Sequence, residues 1–282
     1  MADAADIDAG DDAAVQCDVP VVPGTWIGQG TPSDFTVSGK IIAGGRQPAH
    51  EADLGNGLFR EMDGALQGAD VKLLATDGTV LAQAKTGCGG RYVLPAPAFQ
   101  KVLTLVEAVA ASDGGYTGFL LAREMIGTDL ENYDMDMIPM SELTDRLAAL
   151  GQSYDTTRGW VIQSLATSSL DGGEGVDVSG APAEGYFSVT GTHTIAGKTL
   201  PAACPPGTQG VTPGDPLMGP DGGVVCYTDL LQTIFVAGVQ PGIATSISLL
   251  SPPGETCKMR IDPGAWVVIA NTVTRVFADC AP

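Results

Sequence analysis

Residues 64–97 read GALQGADVKLLATDGTVLAQAKTGCGGRYVLPAP, and this stretch decides the fold class. Val71 and Leu73 alternate with polar residues, Asp77-Gly78 supplies a turn, and Val80, Ala82 and Ala84 alternate again. Gly87-Cys88-Gly89-Gly90 makes a second turn, and a short run through Tyr92 and Leu94 is stopped by a proline. Apolar residues at every second position share one face of a strand. Asp-Gly or Gly-Gly between two such runs reverses the chain. The stretch therefore predicts antiparallel hairpins with one buried face.

The pattern continues on both sides. Upstream, residues 35–43 (FTVSGKIIA) predict a strand, and residues 44–63 a long insertion of the kind that carries function or covers a core face. Downstream, residues 102–110 (VLTLVEAVA), 119–125 and 129–140 (DLENYDMDMIPM) predict further strands. Residues 141–151 (SELTDRLAALG) predict the one convincing helix. Ser141 can cap its start, Leu143, Leu147 and Leu150 share a face, and Gly151 can close its end. Later strands are expected at 159–165, 176–178, 186–189, 226–239, 243–250 and 265–277, with a Pro/Gly-rich surface loop at 198–223.

The chain has 282 residues, 44% of them hydrophobic, with 38 Gly and 19 Pro. That is enough apolar material for a sizeable core, with the punctuation of many short strands. Lys plus Arg number 14 against 33 Asp plus Glu, a net charge of −19. Such a surface repels phosphate backbones and anionic lipid, so nucleic acid is excluded as a partner class. The sequence has no transmembrane run and no signal peptide. Residues 1–16, MADAADIDAGDDAAVQ, predict a disordered acidic tail. This tail resembles the spacer behind the lipidated cysteine of a bacterial surface lipoprotein, which implies a signal and lipid anchor ahead of it. Asp6, Asp8 and Asp11 do not make an EF-hand loop, because the sixth and twelfth positions are Asp11 and Cys17.

Six cysteines, Cys17, Cys88, Cys204, Cys226, Cys257 and Cys280, lie far apart without metal-ligand spacing. An even count of this kind suits disulfides in an oxidising compartment. Fifteen pairings are open to six cysteines. The sequence-local pairs Cys204–Cys226 and Cys257–Cys280 are preferred, which leaves Cys17–Cys88.

The two halves echo each other, with GKIIAG, GADVKLLATDG and TGCGGRYVLPAP followed later by GWVIQS, GEGVDVSG and TDLLQTIFVAGVQPG. Val37-Ser38-Gly39-Lys40-Ile41, Gly68-Ala69-Asp70-Val71 and Thr86 to Leu94 resemble the carboxypeptidase regulatory-like family. These are seven-stranded β-sandwiches akin to transthyretin and Cna B-type domains. The likeness covers about residues 35–140, and the second half lacks the Gly-Ala step. It implies an all-β chain of two tandem antiparallel Greek-key, prealbumin-like sandwiches. Residues 17–140 would form the first and 158–282 the second, with a disulfide-stapled loop, and 141–157 the helical linker.

The resemblance implies a structural, spacer or partner-binding role without catalysis and without a cofactor. Expected partners are an extracellular protein or a glycan, at a secreted, outer-membrane or cell-surface location. Its Cna B-type side implies one covalent possibility, in which Glu107 promotes an amide bond between Lys40 and Asn132. That chemistry needs a neutral amine and a protonated acid, both favoured by burial. The alternative is that Lys40 and Glu107 are ordinary exposed strand residues. Asn271 has no matching lysine, so the second half should lack such a bond.

Other chemistry finds little footing. There is no G-x-S-x-G elbow, and the two histidines, His50 and His193, sit in no catalytic motif. His50, Glu51 and Asp53 would be the ligands of a loop metal site, and Met135, Met137 and Met140 of a soft-metal site. Their simpler readings are a solvated loop and a half-buried strand. No pair of acids stands out for glycoside hydrolysis. Trp26, Trp160, Trp266, Tyr116, Tyr133, Tyr154 and Tyr186 are the candidate stacking platforms for a carbohydrate-binding module.

Overall fold

The structure, a computed structural model, describes residues 20–149 apart from 44–50, 113 and 126, then 153–167. Beyond these it describes 175–179, 185–188, 194–195, 198–199, 202–203, 216–218, 224–227, 233–250, 256–259 and 266–281. The first part contains β1 (Thr25–Trp26), β2 (Thr36–Ala43), β3 (Ala52–Gly55), β4 (Leu58–Arg60), β5 (Leu66–Gln67) and β6 (Asp70–Ala75). These are followed by β7 (Val80–Lys85), β8 (Arg91–Pro95), β9 (Lys101–Val106), β10 (Gly118–Glu124), β11 (Met135–Met137) and α1 (Met140–Ala149). The second part adds β12 (Gly159–Thr167), β13 (Gly175–Ser179), β14 (Gly185–Ser188), β15 (Thr194–Ile195), β16 (Lys198–Thr199), β17 (Ala202–Ala203) and β18 (Pro216–Met218). Last come β19 (Val224–Tyr227), β20 (Thr233–Val239), β21 (Gly242–Leu250), β22 (Thr256–Met259), β23 (Trp266–Val268) and β24 (Thr272–Ala281).

The described residues are all-β apart from α1. The 64–97 stretch folds as its alternation dictates: β6 and β7 pair antiparallel across the Asp77-Gly78 turn. A tight turn at Cys88–Gly90 then carries the chain out of that sheet, and β8 pairs with β2 instead. Sheet one therefore runs β1-β7-β6-β9-β10-β24-β12-β20-β14, and a three-stranded sheet β11-β2-β8 forms a second layer. Val37 and Ile41 of β2, Tyr92 and Leu94 of β8, and Val71, Leu73, Leu103 and Leu120 of the large sheet are all buried in one cluster. β9 is buried on both faces from Val102 to Val106, which explains why its run is apolar but for Thr104.

Three expectations shift. The 44–63 insertion is not simply a loop: β3 and β4 form a hairpin across Asn56-Gly57, both left-handed (φ 55° and 79°), as a type I′ turn requires. In 129–140 only Met135–Met137 is strand, because left-handed Asn132 (φ 56°) interrupts the alternation. The helix begins at Met140, so Ser141 lies inside its first turn. Gly39 has a packing reason: a Cβ there would stand 2.1 Å from the Tyr133 carbonyl oxygen, which crosses over it.

The largest departure is at the junction of the halves. β24 runs parallel to β10 on one side and parallel to β12 on the other. The core cluster continues through this junction to Trp160, Val161, Val268 and Val273. The two halves therefore share one sheet and one core. Among the described residues no helix is long and apolar enough to cross a membrane.

Candidate functional site

The 130–137 segment zips onto β2: the Leu130 carbonyl accepts from Ser38 N, Tyr133 N donates to the Ser38 carbonyl, and Lys40 N donates to Asp134 Oδ1 (2.8 Å). Left-handed Asn132 lifts the chain away between these contacts. The lift leaves a trough of about 400 Å³ across the outer face of β2 and β8. Ser38, Lys40, Arg91 and Val93 line it together with Glu131 and Asn132.

Lys40 and Asn132 thus come together, but Glu107 does not join them. Lys40 Nζ makes an ion pair with Asp63. Glu107 Oε1, just past β9, instead accepts from Lys72 Nζ of β6 at 2.6 Å. The expected arrangement of Lys40, Glu107 and Asn132 is not formed, for a plain physical reason. Each charged group has found an opposite charge at the surface, whereas amide formation needs both buried and neutral. The hydrogen bond from Lys40 holds the Asp63 carboxyl below its ordinary value of 3.8, against a smaller opposing effect of burial. Asn271 has a different role. Its side-chain oxygen accepts from the Tyr154 hydroxyl, and burial pushes that phenol up to about 12.

The aromatic platforms are mostly interior. Trp160, Tyr116 and Tyr133 are buried, and Tyr154 stacks on Trp160 with ring centroids 5.1 Å apart. Trp26 donates its indole N–H to the Gly30 carbonyl. The side chains of Trp266 and Tyr186 lie outside the described residues. Met135 and Met137 are buried core residues. Asp53 is used locally, accepting from Gly55 N to close the β3–β4 turn. His50 and His193 lie outside the described residues, among which no group of three or more His, Cys, Asp or Glu is placed to hold a metal.

Cys88 is disulfide-bonded, and no described cysteine is free. Its expected partner Cys17 lies outside the described residues, as does Cys204. The backbone register sets Cys257 directly opposite Cys280 on antiparallel strands. Sequence reasoning missed Asp63 as the partner of Lys40, since nothing in an Asp-Gly turn signals a contact 23 positions away. It also missed Phe99, which is 77% exposed with φ 51°.

No family model matches the chain, and no curated protein matches it in sequence. Solved structures align over most of its length with low similarity. The Bacillus anthracis TIE protein is 11% identical over 88% of this chain, with a TM-score of 0.23, and the chain spans about a third (34%) of it. The shaft pilin SpaA of Lactobacillus rhamnosus GG is 11% identical over 88% of this chain and 98% of its own, TM-score 0.23. GBS52, a minor pilin of Streptococcus agalactiae, is 10% identical over 88% and 97%, TM-score 0.22. Superpositions this loose carry no argument about topology or role.

Proposed function

We propose that this is a non-catalytic, exported cell-surface protein with a structural and partner-binding role. It is built of two sandwich units (17–140 and 158–282) about a helical linker (141–157) and coupled through β24. The disulfide at Cys88 supports an oxidising compartment. The residues with the best claim to chemistry are engaged in surface ion pairs, which leaves the surface to carry the role.

The observation that carries partner binding is Phe99. A bulky aromatic in the left-handed region is a genuine outlier, costing about 1–3 kcal/mol, and such strain persists where it has a use. Here the ring is also held out to solvent, at 77% exposure. A Cβ at Gly127 would meet its Cζ at 2.5 Å, so Gly127 leaves the space the ring occupies. Aromatic side chains, Phe included, are enriched at protein interfaces, where they fill pockets on the partner. A photo-crosslinking residue at position 99, irradiated on intact source cells, is expected to give one discrete adduct accessible to external protease. No adduct, or an adduct only in the cytosolic fraction, overturns the reading.

A further inference from the structure

The chain has three asparagines, Asn56, Asn132 and Asn271, and all three hold a left-handed backbone (φ 55°, 56° and 54°). Their surroundings differ. Asn132 precedes Tyr133, whose N–H is committed to the Ser38 carbonyl at 2.9 Å. Asn271 precedes Thr272, and its side-chain oxygen already accepts from the Tyr154 hydroxyl. Asn56 precedes Gly57 at the tip of the β3–β4 hairpin, and both residues are exposed. Neither the Asn56 carboxamide nor the Gly57 N–H has a hydrogen-bond partner among the described residues. A Cβ added to Gly57 would meet nothing within 4 Å, so the space beside that nitrogen is open.

We propose that Asn56-Gly57 is a self-modifying site, at which the Gly57 nitrogen closes on the Asn56 carboxamide. Asparagine is among the thermolabile residues. A bond forms between Gly57 N and Asn56 Cγ, and the Cγ–Nδ2 bond breaks. The amide proton leaves with Nδ2 as ammonia, and a cyclic succinimide remains. Water then opens the ring at either carbonyl, with no change of oxidation state. Opening at Cγ leaves aspartate. Opening at the main-chain carbonyl leaves isoaspartate, with the chain routed through Cβ and Cγ. A side chain on the following residue crowds the attack, and a hydrogen bond from its N–H withholds the nucleophile. Asn132 and Asn271 both meet the first obstacle, and Asn132 meets the second as well.

The hairpin turns this reaction into a structural event. A two-residue type I′ turn joins its strands at one fixed length, and isoaspartate adds a backbone carbon to it. The Gly57 carbonyl is also seated over Gly68, where a Cβ would stand 2.1 Å from its oxygen. Leu54 and Leu58 join the hairpin to the core cluster, and the Leu54 carbonyl accepts from Ser112 N. Lengthening the tip therefore loosens β3 and β4 from the core.

The test is to age the folded protein at mildly alkaline pH and read all three asparagines by peptide mass spectrometry. Asn56 is expected to convert to aspartate and isoaspartate with release of ammonia, while Asn132 and Asn271 are retained. Gly57→Ala should lose most of that conversion. Because a φ of 79° strains alanine, the comparison of the three wild-type asparagines stands without that variant. Asn56 retained in the folded protein, or converted no faster than the other two, overturns the site. The isoaspartyl form should show faster amide exchange in β3, in β4 and at Ser112 than Asn56→Asp, which carries the same charge at unchanged chain length. Equal exchange in those two forms overturns the loosening.

Discussion

At the residue scale, the Lys40–Asp63 pair is the best-defined electrostatic contact of the trough region, and its behaviour with pH follows from its direction. The folded Asp63 carboxyl titrates below its ordinary value of 3.8, chiefly because Lys40 donates to it. Its contribution to stability is therefore fully present above pH 3.8 and is lost as pH falls through the folded value. Asp63 is more than half exposed, so the contribution is small and screened by salt. Urea unfolding as a function of pH should show a shallower acid decline in Lys40→Met than in wild type. The two curves should converge at the acid end and in high salt. Parallel curves across that range would mean that the pair makes no difference to folding.

At the scale of elements, β22 and β24 make the clearest covalent prediction. Residues directly opposite on antiparallel strands have Cβ atoms about 4.5–5.5 Å apart, close to the separation a disulfide needs. With Cys257 opposite Cys280, a bridge would fasten the end of the strand that joins the two halves. Proteolytic peptides run without reductant should contain 257 and 280 linked to each other, and the link should vanish on reduction. Linkage of either cysteine to Cys204 or Cys226 would refute the pairing. The sequence pairs these cysteines only by their nearness along the chain, and the strand register now sets them opposite each other.

The β6–β7 hairpin was legible in the sequence, since Val71, Leu73, Ala82 and Ala84 alternate around an Asp-Gly turn that leaves one solution. Other elements were not. Asn132 broke the 129–140 alternation because a left-handed asparagine looks like any polar strand residue until its backbone is seen. The trough is walled by this segment where left-handed Asn132 turns it over β2. Neither its shape nor its lining has a local sequence signal, as both depend on strands brought together from distant positions.

At the scale of the whole molecule, strands of both halves lie in one sheet. A parallel strand needs a crossover to reach its place, and β24, the last of the described strands, joins the halves in sheet one only when it has docked between β10 and β12. Trp160 lies at that junction, almost fully buried, stacked on Tyr154 and in register with Val273. Trp160→Ala removes a large buried ring and should cost about 3–5 kcal/mol. If the shared sheet couples the halves, that loss will not stay in the second one. Hydrogen exchange should quicken in β6 and β9 as well as in β12, and thermal unfolding should remain a single transition at lower temperature. Two separated transitions, with β6 and β9 protected as in wild type, would show instead that the halves fold independently and that the β10–β24 pairing is only a contact between them.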